Sequence, residues 1–531
     1  MDSAMVLDTS ANKKMEPKRF SIWGRSNLLA LGISILLFLS LAIVFWAPIF
    51  DDAFISMRYA QNWADGTGLV FNPGEYVEGF SDPLWVFLLG VFTKLGFPIE
   101  DTARLLGGLS AALVIAVCGL TAGSADGRIR GGRVAALLLA LSGEFAYYAV
   151  AGLETTLFSV ILLTAGLVWQ PQPSLKRSLI LALLGLLAAL TRPEGAIILA
   201  AILGSNVILN WRDPGRWVLP TILTSISVGL LLLARWTYYD ALLPNTFLAK
   251  PFVASQAYLL SALRFLYGYF LVDARYIVCI FALGSLIWYR RNYMILSLAS
   301  LVGVGLLFMA WSGGHPRFFT PYLPALYLLA GNMMVTLGSR GKKWNLLMIT
   351  IVLLLASLSI FSTVQRASFL YLGGRDPSGH SFGHAAVGRW LQEHTAPEAS
   401  VLAWEIGAIG FYSDRRILDT QGLIDREVAT LYYENQYNPY IYWIDPGKSR
   451  ALGAQAVRLL LDRGADYALL EYHGDIYAHV DPRLIVPQDS YRAVVEERGF
   501  ILFERFVLDV KLPKSFLLYG RPDIVLQPDP N

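Results

Sequence analysis

The stretch FDDAFISMRYAQNWADGTGLVFNPGEYVEGFSDPLW, residues 50–85, decides how the rest of the chain is read. It begins where the first long apolar run, LLALGISILLFLSLAIVFWAPIF, ends without a single charge. Two adjacent aspartates, Asp51 and Asp52, then stand at the edge of what reads as a membrane-spanning helix. Charge at that boundary is either punctuation or working chemistry.

Composition sets the class. Of 531 residues, 55% are hydrophobic and only 16% charged, and the mean hydropathy is +0.49. A soluble domain carries about a quarter charged residues, so the chain reads as a polytopic membrane protein. A net charge of +3 does not point to nucleic acid. Cys118 and Cys279 lie inside apolar runs and read as packed thiols, not a disulfide. The first apolar run is too long for a cleavable signal and reads as a retained anchor.

A spanning helix takes roughly 20 mostly apolar residues. Such stretches lie near 28–48, 104–122, 133–150, 153–169, 178–191, 194–211, 217–237, 275–289, 293–311, 317–338 and 344–364. Basic residues orient them. Lys13, Lys14, Lys18, Arg19 and Arg25 precede the first span. Arg128, Arg130, Arg133, Lys176, Arg177, Arg212, Arg216, Arg290, Arg291, Arg340, Lys342 and Lys343 fall in alternate loops after it. All belong to one face, the cytoplasm, provided that PLWVFLLGVFTKLGF (83–97) and YLLSALRFLYGYF (258–270) lie at the outer surface without crossing.

The expected fold is therefore mainly α: a polytopic bundle of about 11 transmembrane helices with outer-surface juxtamembrane helices, plus a C-terminal soluble α/β domain. A cytoplasmic tail occupies 1–27, the transmembrane domain 28–364 with an outer loop at 47–103, and the soluble domain 365–531. The soluble part is expected outside the cytoplasmic (inner) membrane. In it, VLAWE, RRILD, YALLEY and FILFERF read as strands between helical stretches such as AAVGRWLQEH and GAQAVRLLLDRG. It holds no GxGxxG, Walker or Cys/His metal pattern, and a lid and an acceptor dock both stay open as its role.

In this topology the ionisable residues gather at the outer ends of the spans. Asp51 and Asp52 follow the first span, and Glu144 and Glu154 flank the turn GEFAYYAVAGLET. Arg192 and Glu194 sit in TRPEG, Asn245 and Lys250 in LLPNTFLAK, His315 and Arg317 in WSGGHPRFF. A proton-coupled transporter would place charge at the midplane, whereas one-sided clustering suits an amphiphilic substrate with its head group at the surface. Each residue also has a structural reading. Asp52 could cap the helix AFISMRYAQNWA, Glu78 could be a solvated loop carboxylate, and Arg192 and Glu194 could clamp each other beside Pro193. His315 could be an interfacial histidine, Lys250 could touch lipid phosphate, and Asp82 reads as a loop or cap residue.

These segments resemble the C superfamily of integral-membrane glycosyltransferases, which use polyprenyl-phosphate sugars. That fold opens its first outer loop with an acidic pair, runs through one surface helix and then another, and reaches the second span. The same order stands here in DD-AFISMRYAQNWADG, GLVFNPGEYVEGFSDPLW, VFLLGVFTKLG and IEDTARLLGGL. The lipid A aminoarabinose transferases show a similar order. DDAFISMRYAQN, GLVFNPGE, VEGFS, AGLET, TRPEG, LPNTFLAK and RFFTPYLP are more closely similar to the branch containing mycobacterial terminal arabinofuranosyltransferases. The resemblance spans roughly 47–330 and is most specific in the first loop.

It implies an enzyme that moves a sugar, arabinofuranose in the resembled branch, from a polyprenyl-phosphate donor to an envelope glycan or glycolipid on the outer face. It also implies that Asp51 or Asp52 acts on the acceptor hydroxyl. The chemistry needs a carboxylate to accept that proton, here Asp51 with Asp52, and cations to hold the departing phosphate. Arg192, Lys250, His315 and Arg317 are the candidates, arginine as a planar fork and lysine as a point charge. Glu78, Glu154 and Glu194 are expected on sugar hydroxyls or on those cations, with Asn245 among the substrate-binding residues. No cofactor is required; a divalent cation would suit an oxygen-rich site, though nothing in the sequence demands one. The expected partners are donor, acceptor and membrane lipids. A lipid-linked-sugar transporter or flippase stays open, as does transfer of another sugar, such as a hexose, to protein or lipid.

Overall fold

The computed structural model describes residues 25–46, 49–121, 130–251, 256–271, 274–311, 315–371, 381–439, 445–472, 488–509 and 514–525. The basic residues ahead of Arg25, Arg128 and the outermost ends of the chain lie outside them.

Helices occupy each stretch read as a span. α1 (Arg25–Val44) leads to α2 (Asp51–Ala64) and α3 (Pro83–Lys94), both in the first long loop. Then come α4 (Ile99–Thr121), α5 (Gly132–Ala140), α6 (Gly143–Val150), α7 (Thr155–Val168), α8 (Leu175–Thr191), α9 (Gly195–Asn210) and α10 (Val218–Tyr239). The short α11 (Thr246–Ala249) precedes α12 (Gln256–Leu271), α13 (Arg275–Trp288), α14 (Tyr293–Trp311), α15 (Leu323–Gly338) and α16 (Lys342–Tyr371). Among the described residues, five helical segments are long and apolar enough to cross a membrane, or seven if two bent pairs each count once. The chain is a multi-pass membrane protein.

One bent pair departs from the sequence reading. The stretch read as a single span at 133–150 is α5 and α6, bent by 68°. Ser142 makes the break: its Oγ accepts the Phe145 N–H and caps α6. Gly143 beside it lies so close to Thr363 of α16 that a Cβ would not fit. In the other pair, α12 runs at 93° to α13. α3, with 12 residues, is about 18 Å long at about 1.5 Å per residue, well short of a bilayer core.

α15 is the hub, with 89% of its most apolar window buried, whereas α10 has 11% and lies at the rim. Close approach to α15 is made by two glycines: a Cβ on Gly131 would strike the backbone of Gly331 and Asn332. Small residues allow such backbone contact between membrane helices, and the Asn332 side chain completes it by accepting the Arg130 N–H.

The C-terminal part is an α/β unit. It contains α17 (Ser381–His394), β1 (Ser400–Ala403), α18 (Gly407–Ser413), β2 (Arg416–Asp419), α19 (Arg426–Glu434), α20 (Pro446–Asp462), β3 (Tyr467–Tyr472), α21 (Gln488–Glu497), β4 (Ile501–Asp509) and β5 (Lys514–Gly520). The sheet order is β2-β1-β3-β5-β4. β1 is parallel to β2 and β3, and β5 is antiparallel to β3 and β4. The four expected strands are present; β5 was not expected.

This unit is fastened to the loop that holds α2 and α3. β2 is an edge strand, and edges need covering: Asn72 exchanges two hydrogen bonds with the Ile417 backbone, at 2.8 and 3.0 Å. Arg58 donates to the carbonyls of Phe71 and Arg415, and Tyr412 donates to Glu100 at 2.6 Å. Asn72–Glu75 form a turn closed by the Glu75 N–H on the Asn72 carbonyl, with Gly74 at φ +82°.

Candidate active site

α2 opens with both aspartates, and neighbours on a helix point about 100° apart. They therefore meet different surroundings. Asp51 is buried against the C-terminal unit. Its carboxylate accepts the N–H groups of Gly407 (3.1 Å) and Ala408 (2.9 Å), the first residues of α18, and lies 3.2 Å from His384 Nδ1. Residue 407 is glycine where a Cβ would strike the Asp51 carbonyl.

Asp52 instead meets Arg317 of the 3₁₀ turn Pro316–Phe318. It does not cap α2, whose N-cap is Phe50 with no side-chain cap. Its Oδ2 accepts Arg317 Nη1 at 2.5 Å, with 35% of the aspartate side chain exposed. Lys250 and His315 lie within electrostatic reach. Burial pushes the Asp52 carboxyl up, but Arg317 and Lys250 outweigh it and hold it below the ordinary range. Lys250 shows the converse: burial pushes its ammonium down to about 8, against the pull of Asp52. Pro316 starts the 3₁₀ turn Pro316–Phe318, and His315 accepts the Arg317 backbone N–H at Nδ1. A neutral His315 thus carries its proton on Nε2. Phe50 and Phe318 hold the Arg317 guanidinium at 5.2 and 4.8 Å from their ring centres.

A second charged group lies beyond Phe318. Arg192 donates to Glu154 (2.7 Å) and to Glu194 (2.6 Å), and all three are buried. Asp82 joins it from the loop between α2 and α3, its carboxyl pushed up by burial and by the charge of Glu154. Asp82 stands at the N-cap of α3, yet its side chain makes no cap and accepts the Ser56 hydroxyl instead. Arg192, expected on a phosphate, is thus engaged by two carboxylates of the protein itself.

Glu78 and Asn245 are likewise engaged. Arg235 of α10 forks onto Glu78 through three hydrogen bonds of 2.9–3.1 Å. Asn245 donates to the Gly422 and Leu423 carbonyls, and its N–H reaches the Glu78 carbonyl at 2.9 Å. Glu144 accepts from Tyr269, Thr320 and Arg275 and lies 3.9 Å from Arg366. The expected residues that the structure brings together are Asp52, Lys250, His315 and Arg317.

Sequence reasoning missed Arg235 and Arg275, although a cation inside an apolar helix is itself a signal. It also missed His384, Glu405 and Asp419, for which no local pattern exists. Among the described residues, no three or more His, Cys, Asp or Glu side chains are grouped to hold a metal ion.

The fold resembles that of the C superfamily of integral-membrane glycosyltransferases. The chain is similar over 94% of its length to the Archaeoglobus fulgidus oligosaccharyltransferase solved with Zn and sulfate, covering 74% of that chain (TM-score 0.52, 12% identity). It is similar over 92% to ArnT from Cupriavidus metallidurans bound to undecaprenyl phosphate, covering 97% of it (TM-score 0.52, 13% identity). In sequence it resembles the terminal beta-(1->2)-arabinofuranosyltransferase of Mycobacterium tuberculosis, 33% identical over 227 residues. That match takes in 38% of this chain and spans about a third, 34%, of the relative. Residues 376–517 match a family described as a domain of unknown function, DUF8728.

Proposed function

We propose that the protein is a glycosyltransferase that moves a sugar from a polyprenyl-phosphate donor to a hydroxyl of an envelope glycan or glycolipid. One juxtaposition supports this most: the Asp52 carboxylate bonds Arg317 and lies within electrostatic reach of Lys250. The ArnT relative was solved with undecaprenyl phosphate, and the resemblance to an arabinofuranosyltransferase favours arabinofuranose. In this reading about 11 helices span the cytoplasmic membrane, with the tail 1–27 inside. The loop 47–103 and the domain 365–531 lie outside.

The acceptor oxygen bonds to the anomeric carbon as its proton passes to an Asp52 carboxylate oxygen. The bond from that carbon to the phosphate oxygen breaks, and the electron pair leaves on the phosphate, held by Arg317 and Lys250. The donor phosphate competes with Asp52 for Arg317. When Arg317 turns to the phosphate, Asp52 loses the cation that depresses its basicity, so donor binding readies the base. Asp51, spent on α18 and His384, is left out of the proton transfer.

The test is transfer by the full chain in nanodiscs from synthetic short-chain polyprenyl phosphates carrying arabinofuranose or a hexose, with products identified by mass spectrometry. Product formation with one of them is expected. Absence of product with the whole panel, or a cytoplasmic location for a reporter fused at Gly74, would overturn the reading, because the site would then face nucleotide sugars.

A further inference from the structure

We infer that the recess between α13 and α14 binds the phosphate group of an anionic phospholipid, through Arg290, Arg291 and Arg340. This goes beyond the transferase reading and uses none of the residues that carry it.

The sequence sets the charge. No Asp or Glu occurs between Ala274 and Arg375, so the links that join α13 to α14 and α15 to α16 carry cations and no acid. Arg290 and Arg291 stand in the first link, Arg340 in the second, and all three are exposed. Among the described residues, none of them meets a carboxylate. Trp288, Tyr289, Arg290, Arg291 and Asn292 line an open cavity of about 390 Å³, inside the range of about 300–1,000 Å³ in which small-molecule sites fall. Arg340 lies over the Trp288 ring, 4.7 Å from its centre, so a third guanidinium stands beside the cavity.

The link is braced at both ends. Tyr289 Oη lies 2.8 Å from Thr336 Oγ1 of α15, whose own proton goes to the Asn332 carbonyl at 2.7 Å, so Tyr289 is the donor. The Asn292 N–H donates to the Tyr289 carbonyl (2.7 Å), and its side chain accepts the Met294 N–H (3.0 Å) at the start of α14. Guanidinium groups only donate, so the ligand must bring acceptor oxygens and negative charge, and phosphate takes their fork two bonds at a time. α14 is apolar enough to cross a membrane and begins at Tyr293, which puts the cavity at a membrane boundary. Trp288, 55% exposed, suits that boundary. A phosphate held there belongs to a lipid, and basic pockets between helix ends are where anionic head groups bind. A choline head group would meet three guanidinium charges and be repelled. The 19 residues of α14 span about 28 Å at about 1.5 Å each. The cavity lies at one end of them, and the chain reaches His315 and Arg317 from the other, so this phosphate is not the donor's.

The test titrates the full chain in detergent micelles with dioleoyl phosphatidylglycerol, dioleoyl phosphatidylcholine or inorganic phosphate, and counts bound molecules by native mass spectrometry. A first phosphatidylglycerol should bind saturably and ahead of phosphatidylcholine. Arg290→Gln combined with Arg291→Gln should weaken that first binding about 25-fold, about fivefold for each arginine at a charged surface. Lys176→Gln combined with Arg177→Gln removes as much charge from another basic link and should leave the first binding nearly unchanged. Equal losses in the two double variants would overturn the site in favour of diffuse attraction. Wild-type affinity in the Arg290 and Arg291 variant, or equal affinity for phosphatidylcholine, would overturn it outright. Displacement of the lipid by inorganic phosphate would replace the proposed occupant with a free anion. None of these outcomes depends on sugar transfer, so the site stands or falls separately from the transferase reading.

Discussion

Arg317 and Arg192 stack on the same ring, Phe318, at 4.8 and 5.1 Å from its centre, and differ in everything else. Among the described residues, Arg317 has a single carboxylate partner that is about a third exposed, at 35%. Arg192 is pinned between Glu154 and Glu194, with 5% of its side chain exposed. A guanidinium of the first kind can exchange its partner for a phosphate at little cost, because Asp52 is left beside solvent. One of the second kind cannot, because leaving would strand two carboxylates where water does not reach. A cation at the end of an apolar helix is therefore ambiguous until its partners are counted. The same test separates the two aspartates.

The largest expected effect breaks the comparison on the acid side. Asp52→Asn keeps the shape and removes the proton acceptor, so turnover should fall about 10²–10⁴-fold, with Tm nearly unchanged. Wild-type turnover in that variant would remove Asp52 from the chemistry. Next come the arginines, which should fail in opposite ways. Arg192→Met leaves Glu154 and Glu194 buried and uncompensated, a loss of about 3–5 kcal/mol of stability, with donor affinity kept in what remains folded. Arg317→Ala should leave Tm almost untouched and weaken binding of a short-chain polyprenyl phosphate by about one to two decades. Parallel losses of stability and affinity in both variants would erase the distinction. Arg317→Lys, which keeps the charge and loses the fork, should fall between Arg317→Ala and wild type.

Much of this arrangement was legible in the sequence, and the reason for the remainder is physical. Helix positions follow from runs of apolar residues, and the four strands from short β-rich runs, so both could be read locally. β5 was missed because KSFLLYG follows β4 closely, so no separate strand was read there. The break at Ser142 was missed because hydropathy continues across it. The residues around Asp52 could be named because charges beside spans stand out. Their division of labour could not, since it depends on partners far along the chain. Asp51 meets His384 across 333 positions, and Glu78 meets Arg235 across 157. From sequence, Asp51 had the stronger claim to catalysis and Asp52 to capping; in the structure Asp52 faces the cations, and Asp51 faces the second domain.

The smallest expected effect sharpens the comparison on the cation side, and it comes from Lys250. Its ammonium is held down to about 8 from an ordinary 10.5, first by burial and then by Arg317. The charge is present below about pH 8 and lost above it, so donor affinity should hold at neutral pH and weaken as the pH rises through about 8. Stability should move the other way. Between about 8 and 10.5 the unfolded chain keeps the proton that the folded one gives up, so this group's contribution to stability rises with pH across that window. A bound phosphate would favour the ammonium and push its titration upward. The alkaline limb should therefore lie near pH 8 in kcat/KM, which reports the free enzyme, and higher in kcat, which reports the complex. Lys250→Arg keeps a cation that does not titrate in this range, and should abolish the limb while costing less than tenfold in donor affinity. An alkaline limb unmoved in Lys250→Arg would assign it to another group and leave Arg317 as the cation facing Asp52 with a claim on the phosphate.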